Sequence, residues 1–372
     1  MHKRNFLLLV LFLVFMIGCG KKQPQVIKVG AILPLTGNMA TFGQSFKNGI
    51  ELAKDEVGST PVGGEKTFKI EILYEDDKAD AASSVSAFNK LINLNGVKYV
   101  IGGVMSSTAM PIAPIALEKK AIFLSPTATT PSLNQFKDHV YRMQPADNYD
   151  GSIMATFART KLSIEKVAIL YVNNDWGVGL QDVFEKEFVA LGGHILAKES
   201  FPLESKDFRS QLTKIKSTKP EATYMLGYYT ELSGILRQMR ELNFNTRILS
   251  AYSFYDKRLL DLAGNIAEGA IVTISMYDPK STSKTVSDFV GKYIQRFGSE
   301  PDMFAAHSYD CMILLINALK KAGDNPEEVN KILKETRDFQ GVTGLTTFQD
   351  GNVIKEFRLL TVKSGNFVPL EN

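Results

Sequence analysis

The 372-residue chain has little of what enzymes and metal sites usually draw on: two cysteines, four histidines and one tryptophan. Of the cysteines, Cys19 lies beside a leader-like segment and Cys311 far from it, so no intrachain disulfide framework is expected. Cys311 sits in the apolar run Cys311-Met312-Ile313-Leu314-Leu315-Ile316, which predicts a buried core residue. His2, His139, His194 and His307 are scattered, and no HExxH, GxSxG or GxxxxGK[ST] pattern occurs, which argues against the common zinc-hydrolase, serine-hydrolase and phosphate-loop classes. Gly177-Val178-Gly179 has Asp182 where a dinucleotide loop needs its third glycine. Charge of one sign is lacking too. The 43 basic and 40 acidic residues leave too small a surplus to hold nucleic acid or an acidic surface by bulk charge. No short-period repeat or low-complexity segment is seen.

One apolar run stands out. His2, Lys3 and Arg4 form a basic start, and Phe6 to Ile17 gives twelve apolar residues, about 18 Å as a helix. A bilayer core of about 30 Å is not spanned by that length, so a secretion leader is expected rather than a permanent anchor. Met16-Ile17-Gly18-Cys19 resembles the bacterial lipobox. The resemblance implies a signal peptide over residues 1–18, a diacylated Cys19 and a lipidated tether over residues 19–25, since two acyl chains hold a membrane stably where one is marginal. An ordinary secretory leader with an incidental cysteine is the alternative. The remaining 354 residues would carry 41 basic against 40 acidic side chains.

Beyond the tether, short β-branched apolar runs alternate with longer segments of helical period, the pattern of an α/β protein with parallel sheets. Strands are predicted at residues 26–33, 68–74, 98–101, 121–124, 166–172, 194–201, 222–226, 246–250 and 269–275. A helix over 179–191 puts Leu180, Val183, Phe184, Phe188 and Leu191 on one face, and a second aligns Leu232, Ile235, Leu236, Met239 and Leu242. So many strand and helix pairs exceed one core, which predicts two α/β domains. No long Gly/Ser/Pro linker separates them, so several short crossovers are expected.

Two predicted strands run directly into small hydroxyl residues: Gly102-Gly103-Val104-Met105-Ser106-Ser107-Thr108 and Ser125-Pro126-Thr127-Ala128-Thr129-Thr130-Pro131. At the carboxyl ends of parallel strands the next helix offers free N–H groups and the positive end of its dipole, so hydroxyls and amides there suit a carboxylate. Helix capping alone is the other use of such residues. The acidic run Glu75-Asp76-Asp77 with Asp80 is expected to be a solvated turn, and no metal or cofactor is expected. Trp176, in the polar stretch Asn173-Asn174-Asp175, suits a ligand platform better than a core. Of Tyr228 and Tyr229, Tyr228 is expected to face a cleft. Asp147 suits either an ammonium partner or a turn cap.

These segments resemble the extracytoplasmic solute-binding proteins of the branched-chain amino acid type, the ligand receptors of ABC importers. The likeness runs through Val29-Gly30-Ala31-Ile32-Leu33-Pro34-Leu35-Thr36-Gly37, Gly43, Gly49-Ile50-Glu51-Leu52-Ala53, Ile101-Gly102-Gly103-Val104, Leu124-Ser125-Pro126, Tyr141-Arg142, Asp175-Trp176-Gly177 and Asp207-Phe208, in that order. It implies two similar three-layer α/β/α lobes with parallel-rich sheets joined by three crossovers, the periplasmic binding protein type I fold. One lobe would hold residues 26–146 and 276–348, the other 147–275 and 349–372. The resemblance makes Ser106 and Thr129 hydroxyl and amide contacts to a ligand carboxylate, with Ala128 contributing backbone, and Phe42, Trp176 and Tyr228 aromatic contacts. At Tyr252 the amino-acid-binding members carry an acid that pairs with the ligand ammonium, and Ser250-Ala251-Tyr252-Ser253 supplies none. A lost charge-assisted contact is worth about 1.5 to 3 kcal/mol. Asp147 or Asp256 is then the expected substitute, or the ligand is an amine-free acid or amide. The function implied is a monomeric, membrane-anchored receptor that captures a small solute and delivers it to a permease without chemistry. A ligand sensor signalling to a membrane partner, and an exported enzyme, are the alternatives.

Overall fold

The computed structural model describes residues 25–57, 68–275, 277–349 and 352–370. The expected leader, the lipidation site Cys19 and the tether up to residue 24 lie outside the described residues.

The chain opens with β1 (Gln25–Leu33), α1 (Ala40–Val57), β2 (Phe68–Asp76), α2 (Ala81–Asn89), β3 (Tyr99–Gly102), α3 (Ser106–Lys119), β4 (Ile122–Ser125) and β5 (Val140–Arg142). These five strands form one parallel sheet in the order β2-β1-β3-β4-β5. The chain continues through α4 (Asp147–Thr160), β6 (Lys166–Val172), α5 (Asp175–Ala190), β7 (His194–Phe201), α6 (Arg209–Thr218), β8 (Ala222–Leu226), α7 (Tyr229–Glu241), β9 (Arg247–Ser250), α8 (Lys257–Ala263) and β10 (Ile271–Ser275). Then come α9 (Lys284–Phe297), α10 (Met303–Ala322), α11 (Pro326–Lys334), β11 (Phe339–Gly341), β12 (Gly344–Gln349), β13 (Asn352–Ile354), β14 (Phe357–Lys363) and β15 (Asn366–Pro369). The second sheet runs β15-β14-β10-β9-β8-β6-β7, parallel except for the antiparallel β14 and β15 at one edge.

Short, wholly buried strands explain why the sheets are parallel: β3, β4, β8 and β10 are buried along their full length, and such strands need helices on both faces. The first sheet is not covered by its own segment alone. α10 returns from the far end of the chain to pack along α1, and Ser308 donates to the Phe46 carbonyl at 2.8 Å. Cys311 is buried in that helix, in the apolar run that marked it.

The expected strands appear within a residue or two of their positions. Four features were not anticipated. β5, β11, β13 and β15 are three or four residues long, too short for a local period to mark, and β12 and β14 mix apolar and polar residues without strict alternation. The helix expected at 179 begins at Asp175, because the Asn174 side chain caps it by accepting from the Gly177 N–H at 2.9 Å. β13 pairs back on β12 and lies against β5. Finally, the acidic run is used structurally: Asp76 accepts from the Leu35 N–H at 2.9 Å and from Thr36, and Asp80 caps α2.

Gly177 is a required glycine. A Cβ there would sit 2.0 Å from the Val172 carbonyl oxygen, so only glycine lets the first turn of α5 close onto the end of β6. Gly177→Ala is expected to destabilise the protein by about 1–3 kcal/mol, as overpacking against rigid backbone does. Urea unfolding checks this; wild-type stability would contradict the close approach.

Candidate functional site

Six chain reversals meet at one place. β1 runs into the loop carrying Pro34 and Met39, β3 into α3 at Ser106, β4 into Thr127, β6 into α5 at Trp176, β8 into α7 through Tyr228, and β9 into Tyr252 and Ser253. All these residues line one cavity that, in this closed arrangement, keeps only about 30 Å³ of free space, room for about one water, so a larger solute enters only if the walls part. The carboxyl ends of parallel strands are where an α/β sheet leaves a crevice, and the reversals bring the first turns of α3, α5 and α7 to its wall.

The cavity is closed over. α5 of the second lobe lies on the loop after β4 of the first, so that a Cβ on Gly179 would lie 3.5 Å from Pro131. Its wall is largely apolar: Phe42, Met39, Met105, Trp176, Tyr228, Tyr252 and Phe304. Trp176, 2% exposed, packs on Tyr228 and Tyr252 with ring centroids 5.1 and 5.8 Å apart, and Phe42 meets Phe304 edge-on at 4.9 Å. Tyr229, by contrast, turns away and lies under the Arg258 guanidinium at 4.8 Å.

The polar groups concentrate on the first lobe. Ser106 Oγ accepts from the Thr130 N–H at 3.2 Å, which leaves its own proton to donate elsewhere. Thr127 donates to the Val104 carbonyl at 2.7 Å, and Ser125 bridges the two hydroxyl loops by donating to Gly103 and accepting from the Ala128 N–H. Thr129 Oγ1, Trp176 Nε1 and Ser253 Oγ are buried without a hydrogen-bond partner. Unpaired buried donors are costly, so a wall that holds two of them, on Trp176 and Ser253, with Thr129 just behind it, suits a guest with acceptors.

Asp147 does not serve as a turn cap, one of the two uses expected of it on local grounds. It is fully buried at the first turn of α4, its side chain caps nothing, and neither carboxylate oxygen has a hydrogen bond. Burial pushes its pKa up to about 7; the neighbouring Thr129 hydroxyl and the Arg142 charge pull the other way without cancelling it. One turn on, Asp150 is buried as well and its side chain accepts only from the Thr273 hydroxyl, and burial raises its pKa well above the ordinary carboxylate value. Burial, and then the Asp147 charge, likewise raise the Tyr252 hydroxyl. Asp256 is not available as a substitute acid, because it caps α8 and is taken by Arg258, whose Nε donates to it at 3.0 Å.

The cavity thus brings together Phe42, Ser106, Trp176, Tyr228 and Tyr252. Ala128 and Thr129 sit directly behind Thr127, and Asp147 behind Thr129, whose carbonyl accepts from the Asp147 N–H at 3.0 Å. Phe304 and Met39 went unmarked in the sequence. Phe304 is two residues into a 20-residue helix whose apolar run reads as core, and only the α1–α10 packing turns it toward Phe42.

Comparisons with known proteins agree with this arrangement. A model of the periplasmic binding protein family matches residues 26–366. The Leu/Ile/Val-binding protein homolog 2 of Brucella abortus is 30% identical over 324 residues, 87% of this chain and 86% of that protein. The leucine-binding protein LivK of Thermotoga maritima is similar in structure, with a TM-score of 0.83 and 31% identity over 93% of this chain and 98% of that one. A solute-binding protein of an ABC transporter from Rhodopseudomonas palustris, solved with 3,4-dihydroxybenzoic acid, gives a TM-score of 0.84 at 25% identity, covering 93% and 96% of the two chains.

The buried state of Asp147 gives a pH prediction. Its folded pKa near 7 lies above the unfolded value of about 3.9, so the folded protein binds the extra proton and loses stability as pH rises from about 4 to about 7. Asp147→Asn removes this loss. Urea unfolding should show the variant gaining on wild type between pH 4 and pH 8; a difference independent of pH would mean that Asp147 ionises normally.

Proposed function

The chain belongs to the periplasmic binding protein family, of the branched-chain amino acid type, and from that premise we propose that it captures a small carboxylate-bearing, otherwise apolar solute between its lobes. It is a solute-binding protein and not an enzyme. The carrying observation is the asymmetry of the cavity: the unused proton of Ser106 at the start of α3 at one end, with the unpaired Thr129 hydroxyl just behind the wall there, and the aromatic wall of Phe42, Trp176, Tyr228 and Tyr252 around the rest. The first end suits a carboxylate, because hydroxyl protons and the first N–H groups of a helix stabilise an anion without a counter-charge. The wall suits an aliphatic or aromatic body.

Two solute classes fit that description, and relatives are known by names of both kinds, leucine and 3,4-dihydroxybenzoic acid. Asp147 favours the amino acid. A buried carboxylate with no partner is what an ammonium would satisfy, and it stands in for the acid missing at Tyr252. We take the lobes as residues 26–146 with 277–354 and 147–275 with 357–370. Ligand contacts from both would stabilise the closed arrangement. We further take Cys19 as the lipid anchor of an extracytoplasmic, monomeric receptor that hands its solute to an ABC permease.

Thermal-shift screening of residues 20–372 against leucine, isoleucine, benzoate and 4-hydroxybenzoate tests the class, since a ligand at a hundredfold excess over Kd adds about 2.7 kcal/mol. Leucine or isoleucine should give the larger shift, and its affinity should rise with pH through about 7 as Asp147 ionises to meet the ammonium. A shift with benzoates alone, weakening over the same pH range by charge repulsion, would overturn the amino-acid reading. Ser106→Ala combined with Thr129→Ala should lower affinity at least tenfold with the fold intact; unchanged affinity would remove the site. In cells, Cys19→Ser is expected to move the protein from the detergent phase to the aqueous phase of a Triton X-114 partition, and wild-type protein in the aqueous phase would contradict the anchor.

A further inference from the structure

Arg142 is a buried cation that the solute reading leaves unused. It ends β5, just before the chain first passes between lobes, and is 3% exposed. No carboxylate pairs with it among the described residues. Burial lowers its pKa to about 10, so it stays charged at neutral pH. Instead its guanidinium donates to neutral oxygens: Nη1 to the Thr130 carbonyl at 2.9 Å and the Thr129 carbonyl at 3.3 Å, and Nη2 to the side-chain oxygens of Asn134 and Asn352.

The Thr129 carbonyl and the Thr130 N–H belong to one planar peptide unit, and its two ends point in opposite directions. The oxygen is held by Arg142 and by the Asp147 N–H; the hydrogen is held by Ser106 Oγ. Fixing that plane fixes which lone pair of Ser106 is occupied and hence where its remaining proton can point. It also fixes the backbone on which the unpaired Thr129 hydroxyl stands. Asn352, on β13, is two residues short of the last passage to the second lobe, so the same guanidinium joins the solute loop to the strand that feeds this passage.

We propose that Arg142 is the positioning residue of the solute site: by clamping the Thr129–Thr130 peptide it aims the Ser106 and Thr129 donors into the cavity and ties them to the strand entering the third crossover. This rests on the reading of Ser106 and Thr129 as the carboxylate donors. A lysine cannot reproduce the clamp, since one ammonium cannot span four oxygens set for a planar fork.

The test compares wild type, Arg142→Lys, Asn352→Ala and Ser106→Ala by amide hydrogen exchange without solute and by calorimetric titration with L-leucine and, separately, benzoate. Arg142→Lys should speed exchange of the Thr130 amide at least tenfold while amides of β1 and β6 keep wild-type rates, and should weaken solute binding at least tenfold. Because it acts through Ser106 and Thr129, adding it to the Ser106→Ala and Thr129→Ala variant should bring less than about a threefold further loss. Unchanged Thr130 exchange, or losses that multiply in that combined variant, would overturn the proposal. If Arg142→Lys does not fold, Asn352→Ala decides: weakened binding or faster Thr130 exchange supports the clamp, and no change in either overturns it. If neither solute binds, the exchange data decide alone. Unchanged binding in Ser106→Ala would instead count against the solute site, while the exchange arm still judges Arg142.

Discussion

A parallel strand ends with its polar backbone open, and the chain must turn back through a helix whose own first N–H groups lack acceptors. That constraint governs this protein more than any single contact. Two sheets, each with its reversals at the carboxyl ends, face one another so that six of these turns share one enclosed space. The helix starts at α3, α5 and α7 then give it a positive lean without a lysine or arginine in its wall. The close approaches that make the reversals tight, such as α5 onto Val172 at Gly177, are where the backbone allows no side chain.

The electrostatics are divided in a way that suits a zwitterion or an acid. The first lobe brings Ser106, a hydroxyl that has already spent one lone pair on structure and keeps its proton to give. Behind them lies Asp147, a carboxylate that folding alone does not satisfy. Keeping such a group is unfavourable unless a partner arrives, and in a receptor that imbalance becomes affinity for whatever supplies the positive charge. Arg142 is close enough to act on Asp147 through space, yet its hydrogen bonds are committed to backbone and amide oxygens, so it steadies the loop without quenching the acid.

The fold was legible because period-2 and period-3.6 patterns alternate plainly from Gln25 to Ser275. Past that point the sequence reads less well: α10 is a uniform apolar run whose partner, α1, lies some 250 residues earlier, and the half-buried β14 and β15 look like loop. At the site, Ser106, Trp176, Tyr228 and Tyr252 showed themselves as small hydroxyl or aromatic residues just after strands. Phe304 did not, since only long-range packing turns it inward, and Asp147 could not be resolved between cap and ligand because burial is not written in a residue's immediate neighbours. Asp256 was misleading for the same reason, its charge being consumed by Arg258.

Trp176 is the only tryptophan in the chain and stands in the cavity wall, so its emission reports on that place alone. Following the intrinsic fluorescence of the protein while titrating a solute that raises its melting temperature tests the central claim most directly. The account predicts a saturable change in intensity or wavelength with the same apparent Kd as the thermal shift, lost when Ser106 and Thr129 are both replaced by alanine. A stabilising solute that leaves the Trp176 signal untouched would show that binding occurs elsewhere and would contradict it.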